Sequence, residues 1–281
     1  MHLPACPPVN VIAVTSGKGG VGKTNVAVNL AVSLSRQGRE VVLFDADLGL
    51  ANVDIALGLK PRYDVSHVLS GEKSLDDILL QGPNGIRVVP AASGLSSMMD
   101  LSLSERVGLV NAFSELRAPV DTLIVDTGAG IDSSVLTFSS ACEHIIVVIC
   151  DEPTSITDAY ALIKLLHREH GIKEIQVLAN MVEHGSQGQA LYGKLHRVTE
   201  KFLDIRLGYL GAIPRDGYLR HAVQRQGAVV ELYPASHSAR AFTEVAGKIS
   251  LECRGYRGSG GLGFFIERLV QRGSGLVEVC P

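Results

Sequence analysis

Gly17-Lys18-Gly19-Gly20-Val21-Gly22-Lys23-Thr24 decides how this chain is read. The stretch fits G-x-x-x-x-G-K-[ST], a loop whose successive backbone N–H groups converge on a phosphate. Its glycines leave the backbone free to curl around an anion. Lys23 then stands as a point charge for the β- and γ-phosphates, and Thr24 as a hydroxyl for Mg²⁺. The flanks agree with the motif. Val9–Val14 is rich in β-branched residues, as a buried strand is, and Val26–Leu34 reads as a packed helix. In a strand–loop–helix unit the helix N-terminus adds partial positive charge to the phosphate site. A glycine-rich turn that matches by chance needs neither flank.

Strand-like and helix-like segments alternate beyond the loop. Strands are expected at Glu40–Phe44, Ile86–Pro90, Asp121–Asp126, His144–Cys150, Ile175–Asn180 and Leu207–Ile213. Helices are expected at Ser102–Leu116, Ser155–His170, Gln187–Phe202, Asp216–Gln226 and Ser236–Ile249. This order predicts an α/β fold: a doubly wound, mostly parallel sheet with helices on both faces, binding its ligand beyond the C-terminal strand ends.

Composition narrows the class. The 281 residues are 46% hydrophobic with no tryptophan, and suit a core of Leu, Val, Ile and Ala. A net charge of −3 argues against non-specific nucleic-acid binding by the chain as a whole. The five scattered cysteines form no C-x-x-C pair and read as reduced, packed thiols of a cytoplasmic protein. Neither a signal peptide nor an apolar run of the roughly 18–20 residues needed to span a bilayer is visible.

Two further acidic elements complete the nucleotide site. The second strand ends in Phe44-Asp45-Ala46-Asp47, and the fourth in Val125-Asp126-Thr127-Gly128. Half-buried carboxylates at strand ends need a partner, which a cation, a water or a lysine can supply; a capped turn is the structural alternative for the first pair. Asp126 is placed as the second acidic element of a Mg²⁺ shell.

Together these elements, over roughly residues 9 to 250, resemble the MinD/ParA family of P-loop ATPases with a deviant Walker A motif, whose distinguishing residue is a lysine at the place of Lys18. The resemblance implies slow, switch-like ATP hydrolysis with Mg²⁺ and a homodimer closed around two ATP molecules. In it Lys18 reaches the partner's phosphates and Asp47 orients the attacking water. Gly17, Gly19, Gly20, Val21, Gly22, Lys23 and Thr24 then hold ATP, and Thr24, Asp45 and Asp126 support the metal. It also implies that Asn180 reads the adenine edge, that Pro214 lines the base pocket and that Glu152 contacts ribose across the dimer. Asn180 as a turn residue and Lys18 as a solvated surface lysine are the structural alternatives.

Relatives that hold iron–sulfur clusters are disfavoured, because Cys142 and Cys150 do not match their placement. The arsenite-transport ATPase usually has two fused copies, where this chain has one. The cluster Arg206, Arg215, Arg220, His221 and Arg225 is better explained as a solvated face than as a DNA surface. Within the family, Asp151–Lys164, Leu50–Asp54 with Gly58-Leu59, and Val89–Gly94 resemble the flagellar-number ATPases called FlhG or FleN. That resemblance implies control of flagellar number and placement. Its partners would be the σ54-dependent activator FleQ, the SRP-type GTPase FlhF and a membrane surface, with no direct contact to DNA. The other readings are a MinD-type division-site ATPase, a ParA-like DNA-partitioning ATPase, and an antiactivator that uses ATP only for shape.

The domain would occupy residues 1–252. A glycine-rich tether at 253–263 and an amphipathic segment with tail at 264–281 would follow. Leu262, Phe265, Ile266, Leu269 and Val270 share one helical stripe, and Glu267, Arg268 and Gln271 face away. Too short to span a bilayer, such a helix can lie in its surface through Phe265, Ile266, Leu269 and Val270, pack on the domain's own core, or do both, docked in the monomer and released in the dimer; from the residues alone the first two are equal, and the resemblance favours the membrane. ATP-driven dimerisation would double the helix and so make residence at the inner face of the cell membrane reversible.

Overall fold

The computed structural model describes residues 9–47, 52–91, 103–255 and 262–273. In chain order the elements are β1 (Asn10–Ser16), α1 (Lys23–Arg36), β2 (Val41–Ala46), three short helices α2 (Val53–Ala56), α3 (Val65–Leu69) and α4 (Leu75–Ile78), β3 (Leu80–Gln81), β4 (Arg87–Val89), α5 (Leu103–Ser114), β5 (Thr122–Ala129), α6 (Ser133–Ala141), β6 (His144–Ile149), α7 (Pro153–His170), β7 (Glu174–Val182), α8 (Gly185–Phe202), β8 (Arg206–Pro214), α9 (Gly217–Gln224), α10 (Val229–Leu232), α11 (His237–Gly255) and α12 (Leu262–Gly273). They build an eight-stranded sheet in the order β3-β4-β2-β5-β1-β6-β7-β8. Every pairing is parallel except β3 with β4.

The central strands are apolar on both faces, and their alternation divides the core in two. Val11 and Ala13 of β1, Leu123 and Val125 of β5, and Ile145, Val147 and Ile149 of β6 pack with α6, α7 and α8. Ile12 and Val14, Ile124, and Ile146 and Val148 pack with α1, α10 and α11 on the opposite face. Two-sided burial is what a parallel sheet with helical crossovers imposes. Phe44 on β2 meets Phe113 and Phe138 with ring centroids 5.9 and 5.8 Å away, joining β2 to α5 and α6.

Several boundaries depart from the expectation. β5 continues past Asp126 to Ala129, and β7 past Asn180 to Val182, with an irregular register between Asn180 and Val182. α6 was not anticipated. α11 runs to Gly255, into the segment read as a tether, and α12 begins at Leu262; residues 256–261 of that tether lie outside the described residues, as do Leu50-Ala51 of the family-specific stretch and the second half, 92–94, of Val89–Gly94.

The C-terminal helix takes one of the two places that the sequence left open for it. Phe265, Ile266 and Leu269 were expected at a membrane surface or on the domain's own core. In the structure they are 2%, 0% and 0% exposed, inside the same apolar cluster as Leu109, Phe113 and Phe138, and Val270 packs partly against it. Arg268 donates to the Ser140 carbonyl at 3.2 Å. The stripe is real, but here it faces α5 and α6. Among the described residues, no helix is long and apolar enough to cross a membrane.

Candidate functional site

The C-terminal ends of β1, β2, β5, β6, β7 and β8 converge at one edge of the sheet, and the glycine loop lies there. Gly20 (φ 81°) and Gly22 (φ 83°) adopt the left-handed conformation that glycine alone takes cheaply, and Gly22 caps α1. Gly17 serves a different purpose: a Cβ there would stand 2.2 Å from the backbone of Asp158 on α7, so this position needs glycine for close packing. Val21 is buried, and its carbonyl accepts from Asn180 Nδ2 at 2.8 Å. Asn180 thus ties the loop to β7 with its amide nitrogen, while its Oδ1 is buried with no hydrogen-bond partner among the described residues. Pro214 sits on the neighbouring strand beside Val182, next to the Asn180–Ile213 pair.

Lys23 is buried, with Nζ 3.4 Å from Asp126 Oδ1. Burial pushes the Asp126 carboxyl above its ordinary range, against the opposing influence of the Lys23 ammonium and the Thr24 hydroxyl. Asp126 Oδ2 has no hydrogen-bond partner among the described residues. An orphaned, buried acceptor beside a lysine and a threonine hydroxyl fits a hydrated Mg²⁺, which would take Thr24, phosphate oxygens and waters as its remaining ligands. Asp47 belongs to the same cluster: its charge acts on Asp126, and its Oδ1 lies 3.9 Å from where a Cβ on Gly128 would be. Thr127 Oγ1 is 3.0 Å from Thr15 Oγ1, and Gly130 N donates to the Ser16 carbonyl at 2.9 Å, so β5 and β1 are joined just where their loops depart. Sequence reasoning passed over this hydroxyl pair, because a threonine in a strand carries no signal of its own.

The structure gives contacts at two places that the sequence reading did not foresee. Asp45, expected at the metal, uses its carboxylate on backbone amides: Oδ1 accepts from Asp47 N at 3.1 Å, and Oδ2 from Asn52 N at 2.9 Å and Val53 N at 3.0 Å. Burial drives its pKa up to about 7, helped by the charge of Asp126 and resisted by those amides. Lys18 and Glu152, both expected to reach across a dimer, are hydrogen-bonded to each other within one chain. The contact raises the lysine's pKa and lowers the glutamate's.

A phosphate loop, a buried lysine–aspartate pair and an orphaned carboxylate oxygen at one sheet edge make a nucleotide site. The CobQ/CobB/MinD/ParA nucleotide-binding domain model matches residues 12–229. The chain belongs to this family. It is a P-loop ATPase with the MinD-like fold. The antiactivator FleN of Pseudomonas aeruginosa is 54% identical over 264 residues, covering 94% of each chain. The flagellum site-determining protein YlxH of Helicobacter pylori is 35% identical, over 84% of this chain and 80% of its own. The cell division ATPase MinD of Pyrococcus furiosus, a crystal structure, superposes with a TM-score of 0.68 at 25% identity, over 86% of this chain and 99% of its own. The relationship to flagellar antiactivators read from the sequence is thereby shown at the level of the family. Glu152, Asn180 and Pro214 retain their roles toward base and ribose as proposals.

Proposed function

We propose that this ATPase is an ATP-driven switch that limits flagellar number and placement. Mg²⁺·ATP closes two copies face to face, Lys18 leaves Glu152 for the partner's phosphates, and Asp47 orients the attacking water. The closed form restrains a FleQ-type σ54-dependent activator and acts with an FlhF-type GTPase. The observation that carries this reading is the 54% identity with antiactivator FleN across 94% of both chains. The Lys18–Glu152 contact supports the first step, because both residues are exposed at the nucleotide edge and solvent screens their attraction, so a triphosphate competes well for the ammonium. In the proposed cycle α12 is docked on the lone protomer and released to the membrane surface in the closed form, and hydrolysis returns it.

The test uses Asp47→Ala loaded with Mg·ATP. Sedimentation should show dimers with ATP and protomers with ADP. Bait charged with ATP should retain a flagellar activator from host extract, and deletion of the gene should multiply flagella. Lone protomers at saturating Mg·ATP, or an unchanged flagellar count, would refute the proposal.

A further inference from the structure

Asp45 takes part in neither the lysine pair nor the orphaned-oxygen site, although its strand partner in register is Asp126. Among the described residues its acceptor contacts go to backbone N–H groups in two places: Asp47, just after β2, and Asn52 and Val53, at the start of α2. One side chain therefore ties Asp47 to the start of α2. That helix is itself anchored. Val53 is 0% exposed, and the Ile55 carbonyl of α2 accepts from Gln226 Nε2 at 3.1 Å.

We propose that Asp45 is a positioning residue for hydrolysis: its carboxylate ties the amide of Asp47 to those of Asn52 and Val53 and so holds Asp47 in register with Asp126, and its contribution to the metal is secondary. The proposal rests on the reading of Asp47 given under the proposed function. A carboxylate suits the task once it is ionised. In that form it is acceptor-only with two oxygens, whereas an asparagine would turn an NH₂ donor toward an N–H donor. Bonds from amides to the ionised acceptor are stronger than neutral ones, which holds Asp47 more firmly. A reacting group must sit within about 0.5 Å of its productive position, and Asp47 lies only two residues from its anchor.

The experiment compares the parent, Asp45→Asn and Asp45→Ser, reading amide hydrogen exchange together with ATP turnover over a Mg²⁺ titration. In the parent, the amides of Asp47, Asn52 and Val53 should be protected. In Asp45→Asn, their exchange should quicken by about tenfold, as loss of one or two net hydrogen bonds gives. Turnover should fall by about 10²-fold, the consequence of an ångström-scale misplacement. The Mg²⁺ concentration for half-maximal turnover, and KM for ATP, should stay within about threefold, since uniform binding is untouched. A large rise in the Mg²⁺ requirement with unchanged exchange makes Asp45 a metal ligand and overturns the proposal. So does unprotected exchange of the three amides in the parent, which needs no variant to fold. Asp47→Ala is run alongside: parental turnover there refutes the role given to Asp47, while the exchange data still report on the clasp.

Discussion

A graded alanine series through the phosphate loop separates what each glycine does. At Gly17 the new Cβ would lie 2.2 Å from the carbonyl carbon and oxygen of Asp158 and 2.6 Å from Ala159 N. These are backbone atoms of α7 and cannot rotate away, so the helix has to move by roughly 1 Å to restore van der Waals contact. α7 is held by Ala159, Leu162, Ile163 and Leu166, all 0% exposed. Overpacking against so fixed a neighbour places the cost of Gly17→Ala at the upper end of the usual range, about 3 kcal/mol. Gly19 has nothing within 4 Å and no left-handed φ, so alanine there should stay within about 0.5 kcal/mol of the parent. Gly20 has equal space but a φ of +81°, which costs about 1–2 kcal/mol. Gly22 combines a φ of +83° with a Cβ position 2.6 Å from Asn180 Nδ2, and adds the bond to Val21 to the strain, for about 2–3 kcal/mol. Urea and thermal denaturation of the nucleotide-free protein measure the series. Gly17→Ala should lower Tm by about 6–12 °C. A Gly17→Ala protein as stable as Gly19→Ala would show that α7 does not seat against the loop as described.

Three further outcomes are expected. Lys18→Ala should return the Glu152 carboxyl to the ordinary range in an NMR titration; because the contact lowers the folded pKa, the pair persists above the usual carboxylate range and breaks as pH falls through the lowered value, and an unmoved Glu152 refutes the contact. Asp45 has the opposite sign. Its folded pKa, about 7, exceeds the unfolded value, so the folded state holds the proton more tightly and the stability this gives, full below about pH 4, is lost as pH rises to 7. Between pH 5 and 7 the nucleotide-free parent should lose on the order of 2–3 kcal/mol relative to Asp45→Asn; parallel pH profiles in urea denaturation would contradict this. Ile266→Ala, at a wholly buried position of α12, should cost about 2–5 kcal/mol, and a loss under about 0.5 kcal/mol would mean that the helix is not docked.

What could be read from the sequence follows the strength of local signals. The sheet was legible because β1, β5 and β6 are apolar runs, as two-sided burial requires. The loop, Lys23, Thr24 and Asp126 were legible because phosphate and metal chemistry fixes their spacing. α6 was not, since Ser133, Ser134, Thr137, Ser139 and Ser140 are poor helix formers and the element is held by burial of Val135, Leu136 and Phe138. The amide partners of Asp45 were not legible for a similar reason: a strand-end carboxylate announces that it needs partners, but the amides of Asn52 and Val53 are brought to it only by the fold. The stripe of α12 was read correctly, but periodicity records that a face is apolar, not whether lipid or α5 and α6 will cover it.

Lys18, which the resemblance assigns to a partner's phosphates, and α12, left between the domain's core and a membrane, find their contacts inside a single protomer, and they differ sharply in how firmly they are held. Lys18 and Glu152 keep 31% and 55% of their side chains exposed, so solvent screens the pair and a triphosphate displaces it readily. α12 buries Phe265, Ile266 and Leu269, each worth about 1.5–3 kcal/mol, so undocking costs roughly 5 kcal/mol or more. Moving a two-state equilibrium from 1:99 to 99:1 needs about 5.5 kcal/mol of differential binding. Under the proposed cycle the lysine therefore responds to ATP first, and α12 leaves only when the closed dimer and a surface that takes its apolar face act together. The two thresholds would keep a protomer that has bound ATP but found no partner from reaching the membrane.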